Sequence, residues 1–341
     1  MRGAAVKKLV WLILVAAIGA GAWFAWAVMT PVEPAGQTFV LLRPGYSTRR
    51  IAAELKNAGV IRSEQAFVLW HYFHRKRSLK AGEYLFDKPS DIIDIQKRLR
   101  RGDVYFHTLV VPEGYTMFDI ARAIEAAGLG PAEDFLKAAQ SDSALVADID
   151  PHARSLEGYL FPETYEFTRM MTMQEMAAAM VKQFRQVANQ IGLIQPLDAA
   201  PDAGRGVHST VIMASIVEKE TAVPEERPLV ASVYYNRLAK HIALDADPSI
   251  IYAELLAGTY QGALHHADVQ FSSPYNTYRN AGLPPGPIGN PGRSALEAAM
   301  HPAQSDYYYF VADAQGHHRF ARSFEEHNKN VMAYRKAVRG R

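Results

Sequence analysis

The sequence predicts an α+β chain carried by an N-terminal transmembrane helix, with a small α+β module and then a larger mixed α+β domain beyond it. Three observations carry that expectation. Residues 9–29, LVWLILVAAIGAGAWFAWAVM, form an uninterrupted apolar run. Beyond residue 37, short aromatic or β-branched segments alternate with stretches whose apolar residues recur at helical spacing. Proline- and glycine-bearing stretches punctuate the chain at 30–37 and again at 195–206. The expected division is a cytoplasmic tail at 1–8, the transmembrane helix at 9–29, a linker at 30–37, the small module at 38–104 and the large domain at 105–341.

The apolar run comes first. As a helix it would span roughly 31 Å, close to the roughly 30 Å hydrocarbon core of a bilayer. Arg2, Lys7 and Lys8 precede it. Positive charge stays on the cytoplasmic side, so the N-terminus is expected in the cytoplasm and the rest of the chain outside, with Trp23 and Trp26 at the far interface. Ala25-Trp26-Ala27 fits a small-x-small cleavage site, but the run exceeds a signal-peptide core, and an uncleaved anchor is expected.

After the linker TPVEPAGQ, residues 38–42 (TFVLL) predict a strand. RPGYS turns the chain, and Ser47 caps a helix carrying Ile51, Ala52 and Leu55. A helix over Ser63–Arg75, a strand over Gly82–Phe86 and a helix from a Ser90 cap through Leu99 complete the small module. A strand at Tyr105–Val111 leads to PEGYT, which echoes RPGYS, and then to helices over Met117–Ala127 and Pro131–Gln140. Residues 155–167, SLEGYLFPETYEF, are dense in aromatics and carboxylates; a helix over Thr172–Ile191 and a loop at Gln195–Gly206 follow.

A helix capped by Ser209 or Thr210 is expected to run to about Thr221, since Pro224 restricts Val223. It carries ASIVEKET, with Glu218 and Glu220 in apolar company. At 100° per residue the two glutamates lie 200° apart, so they do not act as a pair. The helix is apolar all round, and periodicity alone leaves open which one borders a cleft. Apolar surroundings raise a carboxyl pKa towards the range of a general acid. The structural alternative is that each glutamate pairs with Lys219, Arg227 or Arg237.

Residues 273–292, SPYNTYRNAGLPPGPIGNPG, form a constrained loop that sets Tyr275, Asn276, Thr277, Tyr278 and Asn290 side by side, aromatic faces next to amides and hydroxyls. That chemistry suits a sugar. A short helix at Ser294–Met300, a strand in DYYYFVAD (306–313), a turn at Gly316, a strand near Arg319–Ala321 and a final helix with a Ser323/Glu326 capping box read as scaffold.

Composition excludes several classes. Thirty-seven basic residues against 35 acidic ones give a net charge of +2 without long blocks of either sign, so no nucleic-acid partner is expected. Cysteine is absent, which removes disulfides, thiolate nucleophiles and cysteine zinc sites together. Histidines 265, 266, 317, 318 and 327 match no ligand spacing, so no metal is expected, and no cofactor is implied.

The succession LEGYLFPETY, ASIVEKET, YYNRL, ADPSIIY, SPYNTY, GLPPGPIGNPG, YYYFVAD and EHN resembles the YceG-like family of membrane-anchored endolytic murein transglycosylases. The resemblance runs from about Thr38 to about Lys336. It implies a LysM-like small module and a catalytic domain with its glutamate on a buried helix. The implied reaction cleaves the β-1,4 bond between N-acetylmuramic acid and N-acetylglucosamine within peptidoglycan glycan strands, leaving 1,6-anhydromuramoyl ends. It also implies a single-pass protein of the inner membrane with a periplasmic catalytic domain, working beside peptidoglycan synthases. By the same resemblance the catalytic glutamate is the first of V-E-K-E, Glu218. Glu157, Glu163, Tyr165, Asn236, Asp245, Tyr275, Asn276 and Tyr278 are the expected substrate contacts. Two positions depart from the family pattern: Glu163, where Asp is common, and Asp245, where Gln is usual. The competing readings are a hydrolytic muramidase using Glu163 or Asp245 as second carboxylate, and a tethered peptidoglycan-binding scaffold.

Overall fold

A computed structural model of the chain describes residues 2–74, 78–194 and 206–339. The expected loop at 195–206 lies almost wholly outside the described residues, as does the expected helix end at Arg75. The chain divides into two compact units, Met1–His107 with Glu166–Met171, and Thr108–Tyr165 with Thr172–Arg341.

The first unit begins with α1 (Arg2–Met29), whose Ala4–Met29 stretch is long and apolar enough to cross a membrane. Then come β1 (Thr38–Leu42), α2 (Thr48–Asn57), α3 (Glu64–Phe73), β2 (Gly82–Phe86) and α4 (Ile92–Arg101). β1 and β2 pair antiparallel in register from Thr38↔Phe86 to Leu42↔Gly82. The helices bury the faces that their spacing demands: Ile51, Ala52 and Leu55 from α2, Ile92, Ile95 and Leu99 from α4. Ala27 and Val28, the end of α1, belong to this same core. Ser47 accepts from Arg50 N and Ser63 from Ala66 N as caps. The cap of α4 is Asp91 rather than the expected Ser90, whose backbone is engaged in a bridge with Val32. Glu83, 1% exposed, receives His107 Nε2 at 2.6 Å and Arg169 Nη1 at 2.9 Å, two donors that offset the burial of its charge.

The second unit holds α5 (Met117–Ala126), α6 (Ala132–Ser141), α7 (Met173–Gln190), α8 (Val207–Glu220), α9 (Arg227–Ala239), α10 (Asp247–Ala257), α11 (Arg293–Met300) and α12 (Phe324–Arg339). Its hairpin pairs β5 (Tyr309–Ala312) with β6 (His318–Ala321). β3 (His107–Val110) pairs with β4 (Thr164–Phe167), a strand that the reading of 155–167 did not anticipate. Its alternation was legible nonetheless, with Tyr165 and Phe167 buried and Thr164 and Glu166 exposed.

α8 is the spine of this unit. Every residue from Thr210 to Val217 is buried, and the helix packs against α9, α10 and α11. It starts at Val207 with Gly206 as cap, so Ser209 and Thr210 do not cap it; the Ser209 hydroxyl instead donates to Gly206 O. At α12 only half of the expected capping box forms. Ser323 accepts from Glu326 N, while the Glu326 carboxylate takes the backbone N–H of Arg322.

Candidate active site

The last turn of α8 carries both glutamates, and the structure separates their surroundings. The Glu218 side chain is 4% exposed. Its Oε1 receives Arg227 Nη2 at 2.6 Å and its Oε2 the backbone N–H of Gly292 at 2.9 Å. Arg227, itself 5% exposed, also reaches Glu113 Oε2 at 3.3 Å. Burial pushes the Glu218 carboxyl above its usual range, opposed by the Gly292 N–H and the Arg227 charge. A Cβ at residue 292 would meet the half-exposed Glu113 carboxylate at 1.9 Å, so any larger residue there would push that side chain aside. Glu218 thus ties α8 to the start of α9 and to the loop entering α11.

Glu220 points elsewhere. Its Oε1 receives the Tyr234 hydroxyl at 2.8 Å. Burial raises its carboxyl to about 7; the Tyr234 hydrogen bond works against that rise, and the charge of Asp247 adds to it. It lines a cleft of about 370 Å³ walled by Tyr234, Arg237, Asp245, Asp247, Tyr278 and Tyr309, with Phe310, Phe324 and His327 completing the rim.

Each wall residue is held by its neighbours. Asp247, in the first turn of α10, accepts the Tyr278 hydroxyl at 2.6 Å. Arg237 pairs with Asp245, donates from Nε to Ala243 O at 2.7 Å and lies over the Tyr309 ring at 5.5 Å. Asp245 itself adopts φ +52°, a left-handed conformation that a non-glycine residue adopts only at a cost. The His327 ring stacks on Tyr309 with centroids 5.4 Å apart, and burial with the nearby Arg237 charge pushes its pKa down. The result is a carboxyl group poised to be protonated near neutrality, facing aromatic surfaces and anchored carboxylates. Such a group has the protonation equilibrium that a general acid–base catalyst uses.

Of the expected site residues, the structure brings Asp245 and Tyr278 to this cleft. The others lie outside this cleft. Glu157, 1% exposed, accepts the Met117 N–H and Asn290 Nδ2, and burial raises its pKa to about 7. Asn290 is fully buried; it receives Gly158 N and Leu160 N, and donates to Tyr115 O and Glu157. Asn276, also fully buried, donates to the carbonyls of Val269 and Phe271. Asn236 donates to those of Ser305 and Tyr307. The Tyr165 hydroxyl donates to Phe161 O, and Tyr275 packs on Tyr252 with centroids 5.1 Å apart. Glu163 is exposed, and its Oε1 takes the N–H of Thr164. Among the described residues no group of three or more His, Asp or Glu is placed to hold a metal ion.

The cleft residues that the sequence reading passed over are Tyr234, Arg237, Asp247, Tyr309, Phe310, Phe324 and His327. The signal for all but Phe324 was present in YYNRL, ADPSIIY, YYYFVAD and EHN, which set aromatic or imidazole rings beside charged side chains.

Comparison with known proteins gives a consistent set of relatives. Residues 40–333 match the sequence model of the YceG-like family. The chain is 33% identical over 334 residues to an endolytic murein transglycosylase of Bacillus subtilis (strain 168), covering 93% of this chain and 91% of that protein. It is 30% identical over 361 residues to one of Streptococcus pneumoniae serotype 2, covering 95% of this chain and 64% of that longer protein. Among solved structures, a YceG-like protein of Listeria monocytogenes superposes with a TM-score of 0.58 at 33% identity, covering 86% of this chain and 98% of that one.

Proposed function

The chain belongs to the YceG-like family, and on that premise we propose that it is an endolytic murein transglycosylase; the resemblance implies Glu218 as its acid–base group, and the cleft geometry favours Glu220 in its place. The observation that carries the assignment to Glu220 is its place in the aromatic cleft with a carboxyl raised to about 7, a single hydroxyl donor on one oxygen and the second oxygen left for a proton. Glu218, the first glutamate of V-E-K-E, has both oxygens engaged by Arg227 and Gly292, which favour its charged form. Burial raises both carboxyls, and at Glu218 these two partners oppose the rise.

In the proposed reaction, a muramic acid to glucosamine linkage lies across the cleft with its bridging oxygen at Glu220. The protonated Glu220 gives its proton to that oxygen as the bond to the anomeric carbon breaks. The resulting carboxylate then takes the proton of the muramic acid C6 hydroxyl, whose oxygen closes on the anomeric carbon to give a 1,6-anhydro ring. The bond broken and the bond formed balance, the proton returns to Glu220 and water is not consumed. One carboxyl therefore suffices, where ordinary glycosidases need two. Tyr234 holds Oε1 so that the proton resides on Oε2. Asp247, oriented by Tyr278, places negative charge beside the positive charge that develops on the sugar.

Outside the cleft, α1 is proposed as a single inner-membrane span with its N-terminus cytoplasmic and both units periplasmic, which sets the enzyme beside nascent glycan and the synthases that make it. The module at 38–104 is proposed to be LysM-like and to hold the same strand. Asp245 and Asp247, in one cleft with Glu220, favour hydrolysis as a second reading.

Mass spectrometry of muropeptides released from sacculi distinguishes these readings. The wild-type chain is expected to release fragments with anhydromuramoyl ends, Glu220→Gln none, and Glu218→Gln a measurable amount. Reducing ends would mean hydrolysis. Activity that survives in Glu220→Gln and vanishes in a folded Glu218→Gln would return the catalytic role to Glu218, and release from neither the wild type nor any variant would leave the scaffold.

A further inference from the structure

We propose that the α2–α3 face of the membrane-proximal module docks on the bilayer that α1 crosses, with anionic lipid headgroups as its ligand. The inference rests on reading α1 as a membrane span and adds a second contact to it.

The module is fused to the end of that span. Ala27 and Val28 lie in its core, and α1 packs against α3 and α4. Arg62, just before α3, donates to the carbonyls of Thr30 and Pro31, and its guanidinium lies 5.2 Å from the centroid of the Trp26 ring. Trp23 and Trp26, 48% and 53% exposed, are the tryptophans of the outer interface, so α3 starts at headgroup height. From there Leu69, Tyr72 and Phe73 continue along α3 at helical spacing, 43%, 59% and 66% exposed. In a module with a well-filled core, an apolar stripe of this kind marks a contact surface.

Two grooves run along this face. One of about 550 Å³ lies between Trp23, Trp26, Lys56 and Arg62; the other, of about 570 Å³, between Arg49, Val68, Leu69 and Tyr72. Glu64 and Gln65 border both, so the two are contiguous. Among the described residues none of Arg49, Lys56 and Arg62 is paired with a carboxylate; Lys56 and Arg62 donate to neutral backbone carbonyls and keep their charge. Cations beside exposed aromatics, held next to a span, are the surface that interfacial helices present to anionic lipid.

The absence of cysteine allows single labelling sites in the full-length chain. An environment-sensitive fluorophore at Leu69→Cys is read in vesicles of phosphatidylcholine, with or without phosphatidylglycerol, carrying a lipid quencher near the headgroup. The same fluorophore at Val15→Cys is read against a mid-chain quencher. Docking is expected to quench the Leu69 probe about threefold more with phosphatidylglycerol, and Arg49→Gln with Lys56→Gln is expected to abolish the difference. A quenched Val15 probe beside an unquenched Leu69 probe overturns the docking and leaves the span standing. Equal quenching of the Leu69 probe in both vesicles overturns the anionic-lipid ligand. An unquenched Val15 probe removes the span and the docking together.

Discussion

Replacing Glu220 by glutamine tests the acid assignment through stability as well as rate. Burial raises this carboxyl from 4.5 to about 7, so between those values the folded state binds a proton that the unfolded chain has released. Stability from this group is therefore greatest in acid and is lost as pH rises through the interval. For a shift of that size the ionised group costs the folded state about 0.8 kcal/mol at about pH 5 and about 3 kcal/mol at about pH 8. Glutamine keeps an acceptor for Tyr234 and carries no charge at either pH. Glu220→Gln should thus be more stable than wild type by about 0.8 kcal/mol in mild acid and by about 3 kcal/mol in mild base, while it loses activity at both. Chemical denaturation at the two pH values, with muropeptide release in parallel, reads both effects. The wild-type rate should fall about tenfold between about pH 6 and about pH 8 as the acid form is depleted. A stability difference that does not grow with pH, or a flat rate across that range, would refute the reasoning.

Further outcomes follow from the same geometry. Glu218→Gln breaks the buried pair with Arg227 and should lower stability by about 3 kcal/mol by denaturation while some activity persists on ice; unchanged stability would place Glu218 outside the framework. Asp247→Asn removes the charge that helps raise Glu220, so the falling limb of the pH–rate profile should move to lower pH, and a limb that stays put or moves up would count against that coupling. Asn290→Ala leaves the buried partners Gly158 N, Leu160 N, Tyr115 O and Glu157 short of a hydrogen bond and should cost about 3 kcal/mol or more, a loss that denaturation would show to be far smaller if the side chain were ornamental.

Much of the fold could be read from the chain because burial follows period. The apolar faces of α2, α4 and α7 announced themselves at helical spacing, and Thr172 marked where α7 begins. Helix α8 was legible as buried, but that same all-round apolarity removed any preferred face, so nothing local ranked Glu218 against Glu220. The proposed ranking depends on Arg227 and Gly292 on one side and Tyr234 on the other, partners that only tertiary packing supplies. The loop at 273–292 depends on packing for a related reason. A chain rich in turns leaves carbonyls outside any ladder, and Asn276 and Asn290 satisfy backbone groups inward instead of presenting amides to a sugar. Tyr278 escaped that fate because its hydroxyl reaches Asp247 across the cleft.

The junction at the end of α1 bears on what loss of a membrane tether there would do. A protease cutting after Ala27, where the small-x-small pattern invites one, would sever Val28 from Ala27 within the core they both fill and would part Arg62 from Trp26. Shedding and partial unfolding of the membrane-proximal module are therefore one event. A truncation that begins at Thr30 carries the same lesion, so its first unit should be less stable than in the full chain, and clipping the tether would yield a damaged fragment in place of an intact enzyme released from the membrane.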